Sequence, residues 1–302
     1  MGDIVKKRKI KSKVKRYIVL FILIIIFWTC YSVFKNINWS NEYAKNYNYQ
    51  EYVSEDSYNL EENPKYDEVS SIKNNKGTIK ERLNILQKKD NRIQKIIDNY
   101  DSYPEDLLDM LSRNIDMIDF VLSYHDKKGK SYSDTIGEVK KGEIPLLLQY
   151  DERWGYSNYG DNILAINGCG PTSLSMIITG LTGNKNITPT KIANFSVNNG
   201  FYVYGIGTSW DLMTGISGNF GIKSDVISLD KNIIYKSLEN NHPIICSMRA
   251  GDFTTTGHFI VLVGIKDDKI IVHDPNSKVR SSMLWDYDRI KNQIRNLWVF
   301  YT

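Results

Sequence analysis

Polar and apolar positions divide the chain into stretches of different period. From Tyr17 to Phe34, 18 consecutive residues are uncharged and mostly Ile, Leu, Val and Phe. As a helix rising 1.5 Å per residue this run is about 27 Å long, close to the hydrocarbon thickness of a bilayer. Residues 35–76 are rich in Asn, Tyr, Glu, Lys and Ser with no sustained period. They predict a flexible spacer, with too little apolar surface to offset the entropy of ordering. Residues 77–128 predict a helical segment. Ile79, Leu83, Leu86, Ile93, Ile96, Ile97 and Tyr100 recur near a spacing of 3.6, as one amphipathic helix would require. Ser102 and Glu105 then make a capping-box pattern around Pro104, opening a second helix with Leu107, Leu108, Leu111, Ile115, Ile118 and Leu122 near one face. Two helices alone cannot hide such stripes, so they should pack on each other and on the following domain, or on a partner.

After a polar break at 126–133, short apolar runs alternate with helical patterns. Helices are predicted from about Pro171 to Leu181, from Pro189 with Thr188 as N-cap, and after Thr208 or Ser209. Runs at 144–148, 222–227, 243–248, 258–265, 269–273 and 297–301 are short and apolar, the last five reading as strands. Ile265 and Ile270 stand a hairpin's length apart. Helices first and a sheet afterwards predict an α+β domain over residues 140–302, its N-terminal helices packed on an antiparallel sheet.

Charge changes the picture only at the N-terminus. Residues 1–16 hold eight Lys and Arg against Asp3, a net +7 in a chain of net +4, so the remainder carries −3. The basic charge belongs to a tail, not to a folded face, which argues against a nucleic-acid partner. The positive-inside rule keeps this tail cytoplasmic and places everything after the apolar run outside the cell, the expectation being a single-pass cell-membrane protein. A cleaved signal peptide is the rival. The bulky Phe27, Trp28, Tyr31 and Phe34 offer no small-residue cleavage site. Phe27, Trp28 and Thr29 before Cys30 likewise do not make a lipobox.

Of the three cysteines, Cys30 lies in the apolar run and Cys246 in a strand-like one, where a thiol packs as a small hydrophobe. Cys169 differs. It sits in Asn167-Gly168-Cys169-Gly170-Pro171-Thr172, at the start of a helix, where the helix dipole favours thiolate and unpaired N–H groups can bind an oxyanion. The flanking glycines are expected to let substrate approach the backbone closely. A structural Cys in a glycine-rich turn is the competing reading. His258, in Gly257-His258-Phe259, opens a strongly apolar strand, and Asp274, in His273-Asp274-Pro275-Asn276, ends the next. In a hairpin these two ends are neighbours, which gives a thiol a base and the base an orienting carboxylate. By strand alternation His273 faces away from Asp274 and is read as structural. His125 and His242 have no evident partner, Trp210 reads as a core cover at a helix start, and no His or Cys spacing suggests a metal or other cofactor.

Gln149 ahead of the Gly-Cys-Gly-Pro-Thr turn, followed by Gly-His-Phe and His-Asp-Pro-Asn, resembles the C39-like family of papain-fold cysteine peptidases over about residues 143–302. The resemblance implies Cys169 as nucleophile, His258 as base and then acid, Asp274 as its orienter, and Gln149 as a side-chain oxyanion donor. It implies a peptide or protein substrate. Cell-wall peptide hydrolysis or transamidation uses the same pair of groups, and a non-catalytic binding module is the alternative from another class. The helical segment 77–128 is expected to serve as a stalk, a propeptide-like cover or a partner site.

Overall fold

A computed structural model describes residues 78–302. The apolar run 17–34, the basic tail and the spacer lie outside the described residues, among which no helix is long and apolar enough to cross a membrane. The first predicted helix is two: α1 (Ile79–Gln87) and α2 (Ile93–Asp98). Between them the Asp90 carboxylate accepts a hydrogen bond from the Arg92 N–H at 2.9 Å, a local turn that competes with the helical ladder. The capping box belongs to α1, where Thr78 and Glu81 exchange side-chain to backbone hydrogen bonds. Ser102 does not cap. It ends a 3-10 turn and donates to the Asn99 carbonyl, while Pro104, in an extended conformation, precedes α3 (Glu105–Arg113). Asn114 then breaks the second predicted helix: it leaves the helical conformation and its side chain accepts from the Asp116 N–H. A 3-10 turn, α4 (Ile118–Leu122) and α5 (Tyr124–Lys127) follow.

Leu83, Ile93, Ile96, Leu107, Leu108, Leu111 and Phe120 bury their stripes against Tyr150, Tyr156, Ile163 and Ala165 of the next segment. The Tyr156 ring stacks on Phe120 with centroids 4.0 Å apart, and its hydroxyl donates to the Phe120 carbonyl at 2.9 Å. Arg82 is buried, its Nε on Ser112 Oγ at 2.9 Å and its guanidinium paired with Asp109, which clamps α1 to α3.

The apolar run 144–148 forms no strand. A small ribbon of β1 (Asn158–Tyr159) and β2 (Asn162–Ile163) leads through α6 (Leu164–Asn167) into α7 (Cys169–Thr182), then α8 (Pro189–Asn198), capped by Thr188 as expected. A second ribbon, β3 (Tyr202–Val203) with β4 (Gly207–Thr208), precedes α9 (Asp211–Gly215). The remaining chain supplies β5 (Lys223–Val226), α10 (Lys231–Glu239), β6 (Ile244–Arg249), β7 (Gly257–Lys266) and β8 (Lys269–His273). It ends with α11 (Lys278–Ser281), β9 (Leu284–Trp285), α12 (Tyr287–Ile290) and β10 (Ile294–Tyr301). The sheet is six-stranded, in the order β5-β10-β6-β7-β8-β9, and every pairing is antiparallel.

Both faces of this sheet are buried. Ile245, Phe259, Val261, Trp298 and Phe300 pack with Leu174, Ile177 and Ile178 of α7, while Cys246, Ile260, Leu262, Leu297 and Val299 pack with Ile234 and Leu238 of α10. Double burial explains why the strands read as continuous apolar runs rather than alternating ones. Helix α10, absent from the sequence expectation, is the cover of the second face, N-capped by Asp230. Trp210 covers the first, edge-on to Trp298 at 5.7 Å.

Candidate active site

Cys169 is the first residue of α7, and two close approaches hold it there. A Cβ on Gly168 would lie 2.3 Å from the Leu164 carbonyl oxygen, and one on Gly170 would lie 2.7 Å from the Thr208 side chain. The glycines therefore let the helix start press against the protein's own α6 and β4, a different need from the substrate approach expected of them. Thr208 is in turn held by the buried Tyr159 hydroxyl at 2.9 Å.

His258 stands in β7 opposite Met248, and Val261 stands opposite His273. Asp274, one residue beyond, is thus level with Ile260, which makes it a diagonal neighbour of His258 on one face. His258 Nε2 and Asp274 Oδ1 are 2.8 Å apart, with the His nearly buried and the Asp wholly so. Cys169 lines the same cleft, near enough to bear on the titration of the imidazole. With Nε2 occupied by the carboxylate, Nδ1 is the nitrogen left for sulfur.

Burial alone would lower the His258 pKa, but the Asp274 charge and hydrogen bond, helped by Cys169, raise it from 6.5 to about 9. Burial works against the Asp274 carboxylate as well, and is outweighed by Arg280 and His258, which bring its pKa down to about 2. Arg280 was not anticipated. Its Nε donates to Asp274 Oδ2, it is itself buried, and it stands on α11, whose first turn is capped by Ser277. The Asn276 N–H donates to Asp274 Oδ1 at 2.7 Å, and Ser281 Oγ accepts from the Asp274 N–H at 2.8 Å. The carboxylate is fixed from every side.

Gln149 is buried beside the same site, its backbone N–H on the Pro275 carbonyl at 2.8 Å. Its Nε2 donates to the Ala165 carbonyl at 2.6 Å, with a longer 3.3 Å approach to Ile166, while Oε1 has no partner. Cys169, His258 and Gln149 all line one cleft of about 530 Å³. The other candidates lie elsewhere. Cys246 is a free thiol without exposure, its pKa pushed up by burial, hence unreactive. Burial lowers the His273 pKa, and its Nδ1 is buried without a hydrogen-bond partner. His125, expected to be unpartnered, meets Ser102 Oγ at 3.1 Å and lies against Tyr103, and the His242 ring approaches Tyr301 with centroids 5.6 Å apart.

A thiol at a helix start, an imidazole in the same cleft and a buried carboxylate behind the imidazole can transfer a proton from sulfur and return it to a leaving group. The family model described as "Peptidase_C39 like family" matches residues 122–302. The chain belongs to that family. Two solved structures are similar to it. One is the peptidase domain of Streptococcus ComA, a bi-functional ABC transporter involved in a quorum-sensing pathway, 17% identical, covering 44% of this chain and 89% of that one at a TM-score of 0.36. The other is a C39-like peptidase from Bacillus anthracis, 15% identical, covering 55% of this chain and 98% of that one at a TM-score of 0.38. No curated protein matches the chain. The C39-like match begins within α4, so α1 to α3 lie ahead of it, although Leu86, Met110 and Ile115 line the cleft that holds Cys169.

Proposed function

We propose that this protein is a cysteine peptidase that cleaves peptide bonds through Cys169, His258 and Asp274, outside the cell and anchored by residues 17–34. The observation that supports it most is the buried 2.8 Å contact of His258 with Asp274, on a ring that lines the same cleft as Cys169. The Cys169 thiolate attacks the carbonyl carbon, its electron pair forming the S–C bond as the carbonyl π pair moves to the oxygen. To that oxygen we assign two donors, the Cys169 N–H at the start of α7 and Gln149 Nε2, whose amide turns from Ala165 to reach it. Imidazolium His258 gives its proton to the departing amine as the C–N bond breaks, leaving a thioester on Cys169. Neutral His258 then takes a proton from water as the hydroxyl adds to the thioester, and breaking of the C–S bond releases the carboxylic acid and restores the Cys169 thiolate beside imidazolium His258. Asp274 holds the ring throughout and stabilises its charged form.

The test is alkylation of the full-length chain on intact cells with a membrane-impermeant thiol reagent, followed by identification of the modified residue. Rapid modification of Cys169 near neutral pH, reduced at least tenfold in His258→Ala, is the expected result. A rate indifferent to His258→Ala would overturn the peptidase reading. Modification only after cell lysis would overturn the extracellular placement.

A further inference from the structure

The cleft has two dissimilar walls. On the sheet side stands the polar turn Thr254-Thr255-Thr256, braced by the buried Asp252, whose carboxylate takes two 2.9 Å hydrogen bonds from Arg289. The end of α1, the last turns of α3 and the following 3-10 turn contribute Ile85, Leu86, Met110 and Ile115 to the same lining, and α11 contributes Val279. Ile85 is 56% exposed and Val279 45%, so the fold leaves aliphatic surface open inside the cleft that contains the thiol. Charge on the helical wall is balanced: Asp109 is held by Arg82 and Arg113, and the exposed Lys89 and Asp116 carry opposite signs. Nothing there selects a charged group, whereas uncovered aliphatic surface continuous with a nucleophile selects an apolar one.

Asn114 fixes this wall to the site. Its Nδ2 donates at 3.1 Å to the carbonyl of Asn276, two residues past Asp274, so the aliphatic patch and the carboxylate share one support. Arg82 and Ser112 lock α1 onto α3 beneath it. A wall held at both ends offers a preformed surface.

We propose that α1 and α3 form a specificity subsite, so that the substrate is a polypeptide presenting a bulky aliphatic side chain near the cleaved bond, received by Ile85, Leu86, Met110 and Ile115. This rests on the peptidase reading above and concerns residues ahead of the family match. An aliphatic pocket of this kind discriminates by about 10- to 100-fold.

The test uses the full-length chain and octapeptides of Gly, Ser and Ala in which each position in turn is replaced by Leu, with kcat and KM measured for every peptide. One position should favour Leu over Gly by about tenfold or more in kcat/KM, chiefly through KM. In Ile85→Ser and Met110→Ala this ratio should fall toward one. The solvent-exposed Ile85→Ser should unfold at the same temperature as the native chain, which separates lost recognition from lost structure. No preference at any position, failure to cleave any Leu peptide, or a preference that survives both substitutions would overturn the subsite. Iodoacetamide modification of Cys169, with and without His258→Ala, separately reports whether the thiol is activated. Activation without Leu selectivity sinks only the subsite.

Discussion

Asp274 has no solvent exposure, yet two cations keep it ionised, one from His258 and one from Arg280. A thiolate, an imidazolium and a carboxylate would bury a net negative charge, and Arg280 cancels it. The pair titrates in opposite directions. Because the folded His258 pKa is raised, the stability and ion pairing it contributes are complete below about pH 6.5 and are lost as pH rises through about 9. Because the Asp274 pKa is depressed, its contribution is present above about pH 4 and is lost as pH falls through about 2. The alkaline limb of kcat/KM should therefore lie near pH 9. In Asp274→Asn it should move to lower pH, with kcat/KM reduced on the order of 10²- to 10⁴-fold. A pH profile of both proteins checks this, and an unmoved limb would mean that another group sets it. His258 and Asp274 were legible as neighbours because a short hairpin aligns its outer ends. Arg280 was not legible. It lies six residues beyond Asp274 and returns to it only because Ser277 starts a helical turn that no apolar period announces.

At the scale of elements, β5 to β8, β10 and α7 to α9 were readable from apolar runs and cap residues, because double burial of the sheet leaves long uninterrupted signals, whereas the two-residue β9 and the ribbon strands β1 to β4 were not. The hairpin at 266–269 closes without glycine, with Asp267 and Asp268 both in the left-handed region, a conformation acidic side chains tolerate better than most. The two predicted N-terminal helices were misjudged because periodicity passes through Asp90 and Asn114, whose side chains bind backbone N–H groups and stop the helices. Placement of α7 rests on close backbone approaches, which spacing does not report. Gly170→Ala sets a methyl 2.7 Å from Thr208 at the helix start. Overpacking of this kind costs about 1–3 kcal/mol. Thermal unfolding should record that loss. Alkylation of Cys169 should slow too, because the helix can relieve the clash only by moving the residue that begins it. Slower alkylation at unchanged stability would show that Gly170 matters to the reagent's approach instead.

For the molecule as a whole, the decisive feature is that the core of α1 to α5 is completed by the segment that follows them. Their buried faces meet Tyr150, Tyr156, Ile163 and Ala165, and α6, which carries Ala165, leads directly into α7 and Cys169. The sequence left two outcomes for these stripes, packing on the following domain or on a partner, and the first is the one found; a stalk or a propeptide-like cover would be separable. A cover that only blocks the cleft would leave a more reactive thiol when removed. A layer that completes the core would leave an unstable one. Starting the chain at Gly142 deletes at least seven buried aliphatic side chains and uncovers two buried tyrosines. At about 1.5–3 kcal/mol each, that loss rivals the whole stability of an ordinary domain, about 5–15 kcal/mol. The shortened chain should therefore bind a hydrophobic dye, lose its cooperative unfolding transition and alkylate at Cys169 no faster than an ordinary thiol. A chain from Gly142 that unfolded cooperatively at the native temperature and reacted faster at Cys169 would restore the inhibitory cover and remove the segment from the folded peptidase.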